Sequence, residues 1–174
     1  MSQRTISICD PMEKQEPVRG AEHPGAITIL LVDDDADCRM LVHDAINQSK
    51  VSNQVFEVSN GLEALDFLRQ KGKWSRAPRP GLIYLDIEMP GMNGQEVLKA
   101  IKADPNLRDI PVVMMTGVSD EEQMRQAAEA GANSYTIKPA NGDQFLKTVL
   151  SSTNYWLRIH QYPSHHLPAD QCRR

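Results

Sequence analysis

The chain between residues 27 and 157 alternates short apolar runs with segments whose apolar residues recur at helical spacing. The first run, ITILLV, is rich in β-branched residues and stops at three aspartates, which predicts a buried strand ending at a charged site. A helix is predicted next from the spacing of Cys38, Leu41, Val42, Ala45 and Ile46. Further strands are predicted at QVFEV, GLIYLDI, IPVVMMT and SYTIK, and further helices at LEALDFLR, EVLKAIK, EEQMRQAAEA and DQFLKTVLSSTNYWL.

This alternation predicts a doubly wound α/β fold, in which five helices cover both faces of a five-stranded parallel sheet. In such sheets a ligand binds at the carboxyl ends of the strands, where the strand order reverses. The residues that end or directly follow the predicted strands are therefore the candidates for a functional site. They are Asp33, Asp34, Asp86, Thr116, Gly117, Lys138 and Pro139.

Composition and charge narrow the class of protein. The 174 residues are 40% hydrophobic and 24% charged, as in ordinary globular proteins. The net charge of −4 disfavours nucleic acid or an anionic membrane as the main partner. Because neither a bilayer-spanning apolar run nor a signal peptide is evident, we expect a cytoplasmic protein without membrane association.

The two ends of the chain differ from its middle. We expect a flexible arm at residues 1–25, one folded domain at residues 26–157 and a tail at residues 158–174 that is too short to fold as an output domain. The three cysteines follow no CxxC spacing, so free thiols are expected at Cys9, Cys38 and Cys172. The histidine pair His165 and His166 is expected to be solvated rather than metal-binding.

Several carboxylates are predicted to meet at one edge of the sheet. Asp33, Asp34 and Asp86 would repel one another unless a cation lies among them, and ligands that are all oxygen favour magnesium (Mg2+). The alternative is that Asp34 and Asp35 only cap the following helix, and for Asp35 we favour this interpretation.

Asp86 emerges from an apolar strand, a rigid position that suits a nucleophile toward a phosphoryl group. Thr116 and Lys138 would supply a hydroxyl and an ammonium to the remaining phosphoryl oxygens, and Gly117 leaves space beside them. Two alternatives remain open. Lys138 would instead form a surface salt bridge with an aspartate, and Thr116 would only cap the next helix.

Four motifs, LLVDDDADCR, LIYLDIEMPGMNG, VVMMTG and SYTIKP, resemble in order and spacing the receiver domain of two-component response regulators, the CheY-like family. The resemblance covers about residues 26–157 and implies a flavodoxin-like fold. It also implies that Asp86 is the phosphoacceptor. In this resemblance Asp34 binds Mg2+ directly, Asp33 assists through water, and Glu88 contributes its backbone carbonyl to the metal.

The same resemblance implies roles for residues of the last two strands. Thr116 would be the switch hydroxyl, Lys138 the phosphoryl-binding lysine and Pro139 a cis proline. Tyr135 would be the switch aromatic, which turns inward as Thr116 is drawn toward the phosphoryl group. An ordinary half-buried strand tyrosine is the alternative for Tyr135.

The sequence departs from the usual family pattern after Pro139 and carries an additional acidic residue after Asp86. Ala140 and Asn141 stand where the family often has a hydrophobic or ring-bearing residue. Glu88 adds a carboxylate side chain near an acidic site, and we expect it to affect the rate of dephosphorylation in a direction that the sequence leaves open.

A receiver of this kind implies a sensor histidine kinase or a histidine phosphotransfer protein as phosphoryl donor, and output through protein contacts. The segment NYWLRIHQYP also resembles the ends of single-domain regulators paired with phytochrome-like histidine kinases. A homodimer would form through the fourth helix, fifth strand and fifth helix, or through Tyr155 and Trp156. The alternative for Trp156 is packing in the domain's own core.

Two other functions were weighed. A Mg2+-dependent phosphohydrolase with an aspartate nucleophile fits Asp86 and the acid at Glu88, but the chain offers no cap domain for a substrate. An adaptor that keeps the fold without phosphorylation is less favoured, because the acidic, threonine and lysine positions are intact. The signalling switch is therefore preferred, and it is not an enzyme beyond its own phosphorylation and dephosphorylation.

The segment RQKGKWSRAPRP combines basic residues with Trp74, a mixture also found in nucleic-acid-binding proteins. We interpret it as a solvated loop or part of a partner surface, with Trp74 against the edge of the sheet. Its basic residues are Arg69, Lys71, Lys73, Arg76 and Arg79.

Overall fold

The computed structural model describes residues 27–48, 53–117, 119–138 and 141–158. The strands are β1 (Thr28–Val32), β2 (Gln54–Val58), β3 (Leu82–Asp86), β4 (Val112–Thr116) and β5 (Ser134–Ile137). The helices are α1 (Ala36–Asn47), α2 (Gly61–Leu68), α3 (Gly94–Ala103), α4 (Glu121–Glu129) and α5 (Gly142–Arg158). Every predicted strand and helix is thus present. A short 3-10 helix, Gly72–Trp74, was not predicted.

The strands form one parallel sheet in the order β2-β1-β3-β4-β5. The order reverses between β1 and β3, because the chain first adds β2 on one side of β1 and then continues on the other. The register pairs Val32 with Leu85 and Asp86 with Met115. The carboxyl ends of the central strands therefore lie side by side at the reversal, as ligand sites in such sheets require.

Both faces of the sheet are covered, as expected for a parallel sheet. In β1, Leu30 and Val32 belong to the apolar layer beneath α2 and α3, whereas Ile29 and Leu31 belong to the layer beneath α1 and α5. Because β3 and β4 are buried along their whole lengths, their last residues are held in fixed positions. This rigidity is what places the side chains at the strand ends.

The two tryptophans both pack within the domain. Trp74 lies against the edge strand of the described sheet, as predicted, with its ring centroid 6.4 Å from that of Phe56 on β2. The ring centroid of Phe67 on α2 lies 4.9 Å from that of Trp74. Trp156 is 5% exposed and fills the α1–α5 layer, so the core interpretation of this residue is correct. Its neighbour Tyr155 is 48% exposed.

Several predictions concern residues outside the described ranges. These include the arm at residues 1–25 with Cys9, and the tail beyond residue 158 with Cys172, His165 and His166. Cys38 lies within the described residues and is a buried free thiol, and burial raises its pKa to about 12.

Within the described residues, no helix has the length and apolar character needed to cross a membrane.

Candidate functional site

The carboxyl ends of four strands bring the predicted site residues together. Asp33 and Asp34 directly follow β1, Asp86 is the last residue of β3, Thr116 is the last residue of β4, and Lys138 directly follows β5. Lys138 is joined to the β4 end by its backbone, because its N–H donates to the Thr116 carbonyl at 2.6 Å. Residues distant in sequence thus form one cluster.

Lys138 bridges two buried carboxylates. Its Nζ donates to Asp33 Oδ2 at 2.6 Å and lies 2.9 Å from Asp86 Oδ1. Lys138 therefore does form a salt bridge with aspartates, as the alternative interpretation proposed, but only 17% of the lysine side chain and 5% of the Asp86 side chain are exposed, so this salt bridge is not at the surface. Burial acts to lower the pKa of Lys138, but the hydrogen bonds and charges of both carboxylates outweigh it and raise the pKa above its usual value.

The surroundings of Asp86 have opposing effects on the pKa of its carboxyl group. Burial raises its pKa, Lys138 acts to lower it, and the nearby charge of Asp33 raises it further. The net shift is upward, because burial of the carboxylate outweighs the stabilisation of its ionised form by Lys138. A bound cation would add to that stabilisation.

The loop after β1 is held by backbone and side-chain hydrogen bonds. Asp33 Oδ1 accepts from the Asp35 N–H at 2.9 Å, and the Asp33 N–H donates to the Val58 carbonyl at 3.2 Å. Asp35 caps α1 by accepting from the Asp37 N–H at 2.9 Å, which confirms the cap interpretation of this residue. Asp34 is exposed, so its carboxylate remains open to solvent.

The acidic cluster has the donor set of a divalent metal site. One carboxylate oxygen from each of Asp33, Asp34 and Asp86 can be chosen so that all three lie within 4.8 Å of one another. Oxygen ligands suit hard cations, and three carboxylates meet here with one ammonium beside them. The residues present therefore fit a divalent cation. That Glu88 adds its backbone carbonyl stays a prediction.

The loop after Asp86 returns tightly under the site. The Gly94 N–H donates to the Ile87 carbonyl at 3.0 Å, and a Cβ placed on Gly94 would lie only 2.0 Å from the Asp86 carbonyl oxygen. A reciprocal capping box between Asn93 and Glu96 starts α3 at this point. Only glycine fits at position 94, a constraint that the sequence analysis did not identify although the MPGMNG segment contains it.

Thr116 and Tyr135 are neighbours across β4 and β5. Thr116 is fully buried, and Asp120 rather than Thr116 caps α4, so the cap alternative for Thr116 is wrong. The Tyr135 hydroxyl is also buried. Burial raises the pKa of Tyr135, and the polar side chain of Thr116 nearby opposes this shift. The tyrosine hydroxyl therefore lies inward, beside Thr116.

Glu88 and Gly117 line the exposed rim of the site. A Cβ on Gly117 would lie 3.7 Å from Glu88 Oε2, so the glutamate side chain extends from the β3 end toward the β4 end. Pro139 and Ala140 lie outside the described residues, and the cis-proline prediction at Pro139 is untested. Arg39, the last residue of the LLVDDDADCR motif, also contacts the site, because its Nη1 donates to the Asp33 carbonyl at 2.6 Å; the sequence did not predict this contact.

Comparison with known proteins identifies the family. The model of the response regulator receiver domain matches residues 29–150. The chain belongs to the response regulator receiver family. Members are signalling switches of two-component systems, and they bind a divalent metal at an acidic pocket. This membership confirms the response regulator prediction and the CheY-like fold, and it disfavours the phosphohydrolase alternative.

Individual relatives agree with this assignment. Response regulator Rcp1 of Synechocystis sp. is 34% identical over 142 residues, which cover 82% of this chain and 96% of Rcp1. Sporulation initiation phosphotransferase F of Bacillus subtilis is 35% identical over 122 residues, which cover 70% of this chain and 89% of that protein.

Solved structures resemble the fold closely. The phosphorylated cyanobacterial phytochrome response regulator RcpA has a TM-score of 0.77 and 36% identity, covering 80% of this chain and 99% of that one. The Mn(2+)-bound form of Rcp1 has a TM-score of 0.76 and 34% identity, covering 79% of this chain and 99% of that one. Similarity to phytochrome response regulators, predicted from the NYWLRIHQYP segment, is thereby confirmed.

Proposed function

We propose that Asp86 accepts a phosphoryl group from a phosphohistidine of a sensor histidine kinase or a histidine phosphotransfer protein. The observation that carries this proposal is the position of the Asp86 carboxylate, which lies at a buried strand end, 2.9 Å from the Lys138 ammonium and beside the carboxylates of Asp33 and Asp34. Its neighbours match the needs of an incoming phosphoryl group: one cation is present and a second can bind.

The transfer exchanges one bond for another. An Asp86 carboxylate oxygen attacks phosphorus, the phosphorus–nitrogen bond to the donor histidine breaks, and the released imidazole nitrogen keeps the bonding electron pair and takes up a proton. Lys138 and Thr116 donate to phosphoryl oxygens once the group has arrived. Asp33, Asp34 and Asp86 would hold Mg2+, which would supply positive charge to neutralise the charge that develops during the transfer. Water later attacks phosphorus, which releases inorganic phosphate and restores the Asp86 carboxylate.

The phosphoryl group acts as a ligand that shifts a conformational equilibrium. In this proposal Thr116 moves toward the new phosphoryl oxygens, and the buried Tyr135 hydroxyl beside it responds. The response alters the surface of α4, β5 and α5, where exposed apolar residues are available for a partner or a second copy of the chain. These residues are Met124, Ile137 and Tyr155.

The test is intact mass after incubation with Mg2+ and acetyl phosphate. We expect one labile phosphoryl adduct in the wild type, and none in Asp86→Asn or in the presence of EDTA. Asp66→Asn, which changes an exposed carboxylate on α2, is the matched control and should be labelled like the wild type. An adduct that survives Asp86→Asn would overturn the acceptor assignment. A wild type that stays unlabelled even with a phosphorylated histidine kinase would favour the adaptor.

The decay of the same adduct tests Glu88. Its side chain extends across the rim toward Gly117, on the exposed side of the site from which water would reach the acyl phosphate. We therefore expect Glu88→Gln to be labelled normally and to lose its phosphoryl group at a different rate. Equal half-lives of Glu88→Gln and the wild type would exclude this role.

A further inference from the structure

We propose that Arg39 is a positioning residue that fixes the acidic loop after β1 for divalent metal binding. This inference rests on the proposed function, because it concerns the metal that accompanies phosphoryl transfer. Arg39 lies in the first turn of α1, and its side chain is only 18% exposed. It therefore points back into the domain rather than into solvent.

The contacts of Arg39 connect the loop to β2. Nη1 donates to the backbone carbonyl of Asp33 at 2.6 Å, and Nε lies 3.4 Å from Glu57 Oε2. On the other side of the same residue, the Asp33 N–H donates to the Val58 carbonyl at 3.2 Å. Both polar backbone groups of Asp33 are thereby tied to β2, one directly and one through the Arg39–Glu57 ion pair.

This arrangement determines where the metal-binding carboxylates lie. The Asp33 carbonyl belongs to the peptide that joins Asp33 to Asp34, so its orientation also sets the direction in which Asp34 leaves the strand. A charged donor holds a carbonyl more firmly than a neutral donor does, and residues that support metal ligands in this way affect metal affinity strongly. Without Arg39, the peptide between the two aspartates would lose its anchor.

Electrostatics alone predicts the opposite effect. Arg39 is a positive charge close to the acidic cluster, so its removal would make the site more attractive to a cation. Positioning predicts weaker binding instead, because the carboxylates would no longer be held together. The sign of the change in metal affinity therefore separates the two roles.

The experiment measures binding of Mn2+ and of Mg2+ alone, by Mn2+ electron paramagnetic resonance and by calorimetry, without any phosphoryl donor. We expect Arg39→Gln to bind both ions about 10-fold more weakly than the wild type. Arg39→Lys keeps the charge and one donor, so it should recover part of the loss. Glu57→Gln removes the ion-pair partner but leaves the arginine, and a smaller loss is expected.

Two controls complete the design. Arg125→Gln removes an arginine on α4 that pairs with Glu122 and Glu129, and it should leave metal affinity unchanged. Circular dichroism and thermal unfolding verify that each variant is folded. If Arg39→Gln does not fold, Arg39→Lys and Glu57→Gln still decide the question by their graded losses.

Unchanged or tighter Mn2+ binding by Arg39→Gln would overturn the positioning role. It would leave the proposed function intact if the wild type still binds metal and is labelled on Asp86. A wild type that binds neither ion would overturn both proposals. Normal metal binding together with failed phosphorylation would count against the proposed function alone.

Discussion

Lys138 Nζ lies 2.9 Å from Asp86 Oδ1, and both side chains are largely withdrawn from solvent. The same ammonium donates to Asp33 at 2.6 Å, so one positive charge serves two buried carboxylates. A buried pair of this kind is costly to break, because the remaining charge cannot return to water. The stability of the domain and the chemistry of its site are therefore linked through Lys138.

Replacing Lys138 should destabilise the metal-free protein. Lys138→Met leaves Asp33 and Asp86 without their cation, and we expect the free energy of unfolding at pH 7 to fall by about 3 kcal/mol. The loss should shrink as the pH is lowered, because a protonated Asp86 needs no cation. Urea denaturation at several pH values measures it. Lys147→Met, at an exposed position of α5, is the control, and equal midpoints for the two variants would contradict the prediction.

The raised pKa of Asp86 predicts a specific pH dependence of stability. A group whose pKa is higher in the folded state stabilises the fold below its ordinary pKa and loses that contribution as the pH rises through the folded value. The wild type should therefore lose stability relative to Asp86→Asn as the pH rises above 3.8, the ordinary value for an aspartate. At pH 7 without divalent metal, Asp86→Asn should be the more stable protein.

Denaturation of both proteins between pH 3 and pH 7 tests this expectation. Added Mg2+ should reduce the difference at pH 7, because it stabilises the wild type through a carboxylate that the variant lacks. Asp66→Asn provides the exposed control. If the difference in the free energy of unfolding stays constant across the pH range, ionisation of Asp86 does not destabilise the folded state.

The close approach of Gly94 to Asp86 predicts a large effect of one methyl group. In Gly94→Ala the new Cβ would lie 2.0 Å from the Asp86 carbonyl oxygen and 2.9 Å from Ile87 Cα, and backbone atoms cannot move aside cheaply. We expect the free energy of unfolding to fall by about 3 kcal/mol. Gly142→Ala, where no atom lies within 4 Å of the added Cβ, should instead be stabilising by up to about 1 kcal/mol. Thermal or urea denaturation of the two variants provides the comparison, and similar midpoints would contradict the prediction.

The elements, and the residues that meet where the strands end, were predictable from the sequence. ITILLV stops at Asp33, and GLIYLDI carries Asp86 at its end, because buried strands are apolar until they reach the edge of the sheet. Such signals are local, since hydrophobic periodicity and the residues that interrupt it are visible within a short window. The parallel sheet followed from the alternation of strands and helices, and so did the gathering of strand-end residues at one edge.

Only the tertiary structure decided which of these residues contact one another. That Lys138 bridges Asp33 and Asp86 instead of lying on the surface depends on strand order and register, which bring together residues 105 positions apart. From the sequence, Trp156 fits a dimer contact as well as it fits the core, and only the structure shows that the layer beneath α1 and α5 encloses it. The hydrogen bond from Arg39 to the Asp33 carbonyl and the narrow space at Gly94 were not predictable either. Both depend on distances between backbone segments, and these distances arise only when the helices pack against the completed sheet.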